Sequence, residues 1–254
     1  MINVINNRRL IKRLLQFVGN PNSSPRVAVL TDVRRYITVW RVMAEQCETD
    51  LLLILCHPAS KSFTHALGDV VRQESGRRGL SAVSVDLYTS GFHPVLTGEE
   101  LRRGMSFDEH VLRYQALLCS ARRLVLVHPD WWGGPPALLK GWVERVLRPQ
   151  VAYLFTGQEF MPKVKEGLLG HLSVLVAYTT DTKEEAARNS VERFWGSSVF
   201  EFCGARDVEF AGFYELYSLA PGTRTRLLRQ FRKQVSSWLN HASGPGTALS
   251  ASAR

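Results

Sequence analysis

The run Arg123-Leu124-Val125-Leu126-Val127 breaks into His128-Pro129-Asp130-Trp131-Trp132-Gly133-Gly134-Pro135-Pro136, and a helical pattern starts directly behind it. A short apolar, β-branched run of this kind is a buried strand. Ala137, Leu138, Trp142, Val143 and Val146 recur at helical spacing, so a helix begins near Pro136. Strand, loop and helix in immediate succession point to an open α/β sheet with a crevice outside its carboxyl ends. Two tryptophan faces on a glycine-rich loop at that edge suit a flat conjugated ligand. The same residues would also serve as a tight turn whose tryptophans cap the core, and the loop alone leaves both readings open.

A second unit of the same build lies upstream. Leu51-Leu52-Leu53-Ile54-Leu55-Cys56 is a continuous apolar run, as a parallel strand covered on both faces requires. It stops at His57-Pro58-Ala59-Ser60-Lys61-Ser62. A helical pattern follows (Phe63, Ala66, Leu67, Val70, Val71), with Ser62 as N-cap and Gly79 beyond its end. A helix start behind a strand presents free backbone N–H groups to a phosphate. Ser60, Ser62 and Thr64 add hydroxyls and Lys61 a charge. The glycines of a Walker loop or of G-x-G-x-x-G are missing, so an ordinary capped turn remains the competing reading.

The pattern then repeats. Residues 82–87 form a strand, 88–100 a long connection, and 108–121 a helix. After the central loop and helix, residues 148–170 make a long excursion carrying Tyr153, Phe155, Phe160 and Met161, which a compact domain uses as a lid or an interface. Leu172 to Ala177 is a fourth strand, ending in Tyr178-Thr179-Thr180-Asp181-Thr182. A helix over 183–195, a fifth strand over 208–213 and a closing helix over 221–240 complete the series. Strands alternating with helices predict a doubly wound α/β fold, a five-stranded parallel sheet of flavodoxin-like order 2-1-3-4-5. In that order the loops after strands one, three and four converge at one edge. A histidine/serine loop, a tryptophan loop and a threonine loop at one crevice describe a nucleotide-type aromatic cofactor.

Outside residues 51–241 the chain reads differently. Residues 1–50 are a basic N-terminal extension: an amphipathic helix over 1–18 with Arg8, Arg9, Lys12 and Arg13 off its apolar face, a linker over 19–25, and room for a strand at 27–30 and a helix at 36–46. Docking of that helix on its own domain or a second subunit is favoured, and membrane or membrane-protein docking stays open. Residues 242–254 are small and polar, a disordered tail. A net charge of +9 favours an anionic partner, but it is spread along the chain without a basic tract interleaved with aromatics, so nucleic acid is not expected. Cys47, Cys56, Cys119 and Cys203 form no C-x-x-C pair, and no histidine stands at metal-ligand spacing, so neither a metal site nor a disulfide is expected. The absence of a membrane-length apolar run and of a signal-peptide core makes the cytoplasm the expected location.

Three stretches carry a resemblance: Leu-Cys-His-Pro-x-x-x-Ser-Phe at 55–63, Asp-Leu-Tyr…Gly-Phe-x-Pro-Val-Leu at 86–96, and His-Pro-x-Trp-Trp-Gly-Gly-x-Pro-Ala-Leu-Leu-Lys-Gly-Trp-x-Glu-Arg-Val at 128–146. From about Leu51 to Leu239 the chain resembles the NAD(P)H:quinone oxidoreductase family, a flavodoxin-like group that includes ancillary flavoproteins of potassium-efflux systems. The resemblance implies a homodimeric flavoenzyme, with FAD or FMN across the carboxyl edge of the sheet and NAD(P)H as co-substrate. It would pass two electrons to a small quinone-like acceptor. The alternative it leaves is a flavin-binding ancillary subunit of a membrane transport system. By this resemblance His57, Ser62 and Phe63 line the phosphate end, Pro129, Asp130, Trp131, Trp132 and Gly133 lie along the isoalloxazine, and Thr179 and Thr180 complete the ring pocket. One departure stands out. The family's best-studied members carry a Thr-Thr-Gly-Gly loop followed by a tyrosine and a histidine assigned to hydride transfer. Here Thr179-Thr180 is followed by Asp181-Thr182-Lys183, and no histidine occurs between His171 and His241, so no residue is assigned to that step. A carboxylate at Asp181 would also repel an anionic cofactor edge.

Overall fold

The computed structural model describes residues 49–156 and 163–241. The proposed helices, linker and strand before residue 49 and the tail from 242 lie outside the described residues. The chain runs β1 (Leu51–Leu55), α1 (Phe63–Arg77), β2 (Ala82–Asp86), α2 (Gly98–Arg103), α3 (Glu109–Ser120), β3 (Arg123–Pro129), α4 (Ala137–Val146) and the pair β4 (Tyr153–Thr156) and β5 (Lys163–Gly167). It continues through β6 (Ser173–Thr179), α5 (Glu184–Ala187), β7 (Asp207–Phe213) and α6 (Pro221–His241).

Five strands form one parallel sheet in the order β2-β1-β3-β6-β7. Counting only those strands in chain order, this is the predicted 2-1-3-4-5. The all-apolar runs of β1 and β3 are buried along their whole length because a helix layer covers each face. Side chains alternate between the two layers. Leu52, Ile54, Leu124, Leu126, Val174 and Val176 meet Val111, Leu118 and Trp142 on one face. Leu53, Leu55, Val125, Val127 and Leu175 meet Leu67, Val71, Phe231 and Trp238 on the other.

Local chemistry accounts for the helix ends. Ser62 caps α1 by accepting the His65 amide. At the far end Gly79, at φ 65°, sends its N–H to Gly76 O, and Leu80 N reaches Ser75 O, a closing pattern that needs the left-handed conformation. The buried Glu74 carboxylate joins Arg78 of the same turn to Arg232 of α6 and so fastens the two helices of one layer together.

Three segments differ from their sequence reading. The connection over 88–100 contains α2, started by a reciprocal capping box between Thr97 and Glu100. The excursion over 148–170 contains the antiparallel β4–β5 pair. The helix expected over 183–195 continues as wide π-helical turns, Arg188–Glu192 and Phe194–Glu201, which bury Trp195, Val199 and Phe200. A 3.6-residue pattern cannot register turns that add a residue.

Candidate functional site

The in-register pairing of β3, β6 and β7 sets the site. Pro129 pairs with Thr179 and Thr179 with Phe213, so three strands end at one level and their loops rise together. β1 ends beside them, and its loop leads into α1. Between these loops lies a cleft of about 250 Å³.

Eight of the ten residues given to the cofactor by the resemblance line it, His57, Ser62, Phe63, Pro129, Asp130, Trp131, Thr179 and Thr180, and so do Thr64 and Asp181. Trp132 and Gly133 do not. Trp131 N donates to Gly134 O at 2.9 Å, closing a two-residue turn with Trp132 at φ 60° and Gly133 at φ 79°. Positive φ at both central positions is what such a turn demands. It leaves the Trp132 side chain fully in solvent, while Trp131 tilts toward His57 with ring centres 6.0 Å apart.

At one end of the cleft is the start of α1. Ser62 Oγ accepts the His65 amide at 3.2 Å and Ser62 O accepts Ala66 N. The amides of Phe63 and Thr64 are then the first-turn donors that helix geometry leaves without an intrahelical acceptor. Ser62 Oγ also lies 2.9 Å from His65 Nδ1, and His65 Nε2 lies 3.1 Å from Asp86 Oδ2 at the end of β2. Thr64 Oγ1 and Thr179 Oγ1, 3.3 Å apart, tie α1 to β6 across the floor. Burial holds the His57 ring below its usual pKa, and the Ala59 amide donates to its Nδ1.

At the other end is Asp130. Its amide donates to Thr179 O at 2.7 Å, and Thr180 Oγ1 donates to its Oδ2 at 3.1 Å. Its Oδ1 is enclosed and meets no hydrogen-bond partner among the described residues. Burial pushes the carboxyl up, against the opposing pull of the Thr180 hydroxyl and of the Gly133 and Gly134 amides, which lie near it outside hydrogen-bond geometry. A buried acceptor without a partner is costly by itself, and a ligand with a polar edge would answer it. Exposed aromatic surface, an enclosed acceptor and a phosphate-competent helix start, in one cleft, fit a flavin nucleotide.

Three wall residues were not anticipated: Leu216, Tyr217 and Arg224. They sit behind β7, whose end lies at the same edge, so the strand order was the signal that could have found them. Asp181, suspected of repelling a cofactor, has its Oδ1 occupied by the Tyr217 amide at 3.0 Å, and Arg224 Nη2 donates to Leu216 O at 2.9 Å. His65 also went unremarked, although three residues on from Ser62 is the neighbouring position on a helix face.

Burial pushes the free thiols of Cys56, Cys119 and Cys203 up to about 12. Among the described residues no helix is long and apolar enough to cross a membrane.

A protein of Haemophilus influenzae named as an uncharacterized NAD(P)H oxidoreductase is 28% identical over 180 residues, 70% of this chain and 89% of that one. The rat NAD(P)H dehydrogenase [quinone] 1 is 24% identical over 215 residues, 73% of this chain and 76% of its own. In fold, an FMN-dependent NADH-azoreductase from Bacillus anthracis, crystallised with FMN, superposes with a TM-score of 0.58 at 16% identity, covering 77% of this chain and all of that one. The model of the flavodoxin-like fold family matches residues 49–239, and the chain belongs to that family.

Proposed function

We propose that this protein is a flavin-dependent NAD(P)H oxidoreductase that takes two electrons from NAD(P)H and delivers them to a small quinone-like acceptor, with FMN in the cleft. The observation that carries the reading is the pairing, in one cleft, of the α1 start with the Trp131 face and the enclosed Asp130 oxygen. The relatives' names, NAD(P)H oxidoreductase and NAD(P)H dehydrogenase [quinone], support the reaction class, and the FMN complex of the azoreductase supports the cofactor.

When bound, the flavin supplies the group that accepts and then donates hydride. The chain's own residues orient. The Phe63 and Thr64 amides would hold the phosphate end, and Trp131 would border the ring. Thr180 and Asp130 would hold its polar edge, and Leu216 and Tyr217 would line the side behind β7. NAD(P)H and the acceptor use the open mouth in turn. The comparisons lend no support to the ancillary-subunit alternative.

The test is direct. Purified protein loaded with FMN should bind it stoichiometrically and oxidise NAD(P)H only when a quinone is supplied; a chain that holds neither FMN nor FAD sinks the reading. A cytoplasmic location remains the expectation, and fractionation of cells checks it. We further infer a homodimer, supported by the aromatic group Tyr153, Phe155 and Phe202, of which Phe155 and Phe202 are exposed beside one another through Tyr153. Sedimentation at micromolar concentration should show two subunits, and a flavin-loaded monomer would overturn it.

A further inference from the structure

We propose that His65 takes up a proton when a phosphate group settles at the start of α1, and that the Ser62–His65–Asp86 chain couples the two events. The inference rests on the flavin reading above and assigns a positioning role to a residue outside the cleft wall.

The hydrogen positions follow from which atoms can only accept. Asp86 Oδ2 lies 3.1 Å from His65 Nε2, and Oδ1 of the same carboxylate accepts the Tyr88 amide at 3.0 Å, so Nε2 carries a hydrogen. Ser62 Oγ already accepts the His65 amide at 3.2 Å and lies 2.9 Å from Nδ1. With a neutral ring, Nδ1 is bare and the one hydroxyl hydrogen of Ser62 is directed to it. The hydroxyl then has only a lone pair to show an incoming phosphate oxygen, which repels it. With an imidazolium, Nδ1–H donates to Ser62 Oγ and the hydroxyl hydrogen is free to donate to phosphate. One proton passes from solvent to Nδ1, and no covalent bond between heavy atoms forms or breaks.

The electrostatics have the same sign. Without an anion in the cleft, the positive end of α1 and a cation on His65 repel each other; a phosphate dianion reverses that balance, and Asp86 neutralises the ring from behind. The other groups facing the ring stay silent near neutral pH. His57, with ring centres 6.2 Å away, is held toward its neutral form by burial, and a charged His65 pushes it further that way. The Cys56 thiol is raised to about 12, and burial raises the Tyr88 hydroxyl. Lys61 on the same loop is exposed, and Arg224 stands in the opposite wall as a fixed charge.

Calorimetry with FMN, in buffers of different ionisation enthalpy, counts the protons. Riboflavin, which has no phosphate, is the control. Above about pH 7 a phosphate monoester with a second pKa of ~6 is already a dianion and adds no proton of its own. The expected result is a net uptake of up to one proton for FMN and none for riboflavin. FMN affinity should fall as pH rises above neutrality, with riboflavin affinity level. His65→Gln, which keeps an amide between Ser62 and Asp86 but cannot titrate, should bind FMN without uptake and without that slope. FMN binding with no more uptake than riboflavin, or uptake that survives His65→Gln, overturns the coupling and leaves the flavin reading standing. Failure of the wild-type chain to bind either flavin overturns both. Should His65→Gln not fold, the wild-type comparison of FMN with riboflavin decides alone.

Discussion

Trp195 donates its indole N–H to Nε2 of His128 across 2.8 Å, joining the π-helical segment to the carboxyl end of β3. The His128 proton therefore sits on Nδ1, which donates to the Pro129 carbonyl at 2.8 Å. A buried indole thus selects a tautomer, and the tautomer holds the backbone of the residue that opens the tryptophan loop.

This pair predicts a stability loss in acid. Burial lowers the His128 pKa from 6.5 to about 4, so the unfolded chain binds its proton first. The stabilisation is complete above pH 6.5 and is lost as pH falls toward 4, on the order of 3 kcal/mol over that window. Urea midpoints measured from pH 7 to pH 4 should fall accordingly. His128→Phe should be ~1–3 kcal/mol less stable at pH 7, because Trp195 loses its acceptor, yet should show a flatter profile below. An unchanged profile would refute the assignment.

The second prediction concerns Arg145. It is buried with Glu100, 2.5 Å from Oε1, and donates to the His93 carbonyl, which pins the segment before α2 against α4. Glu100 is drawn down to about 2 by Arg145, Ser106 and the Thr97 amide, against the burial that would raise it. Its contribution is present above the usual 4.5 and fades as pH falls toward 2. Arg145→Met leaves Glu100 buried and unpaired and should cost ~3–5 kcal/mol in chemical denaturation at pH 7. A loss below 1 kcal/mol would mean the pair is solvated.

The two tryptophans should separate in experiment. Trp131→Ala removes a wall of the cleft and should weaken flavin binding several-fold to about tenfold, since aromatic contacts contribute ~0.5–1.5 kcal/mol beyond area burial. Trp132→Asn touches no wall and relieves a bulky side chain from φ 60°, a conformation asparagine tolerates. It should leave flavin affinity unchanged and raise stability by up to about 1 kcal/mol. If Trp132→Asn instead releases flavin, the turn reshapes around the cofactor.

Much of the fold was legible because covered parallel strands have no alternative to apolar runs, and Leu51–Leu55 and Leu124–Val127 have nothing else to be. Ser62 and Gly79 were legible because each serves a backbone group. The cleft wall behind β7 was not, because Leu216, Tyr217 and Arg224 carry no local pattern; only their place at a sheet edge recruits them. Trp132 looked equivalent to Trp131, and nothing in adjacent side chains shows which of two residues a turn aims outward. The π-helical run escaped for a related reason: Phe194, Trp195, Val199 and Phe200 satisfy an α-helical pattern only in part, and tertiary burial sets the wider turn.

Gly141 offers a test of packing against propensity. Alanine in a helix interior normally stabilises by about 1 kcal/mol over glycine. At Gly141 a Cβ would overlap the Pro94 carbonyl. Overpacking costs ~1–3 kcal/mol, so Gly141→Ala should lower the denaturation midpoint; a rise would show that the segment around Pro94 yields freely.

The level ending of β3, β6 and β7 has a consequence for how a chain like this can change over time. Pro129, Thr179 and Phe213 stand abreast with no bulge in the ladder, and side chains in a strand alternate faces. Losing or gaining one residue within these strands would send every side chain beyond it to the opposite core layer and would stagger the rim at once. Length can therefore drift only above the rim, in the turns. New chemistry could be acquired there by insertion while the platform beneath it stays untouched, and a designer who wants a different acceptor should splice between Asp130 and Pro135 or between Asp181 and Lys183, never inside the sheet.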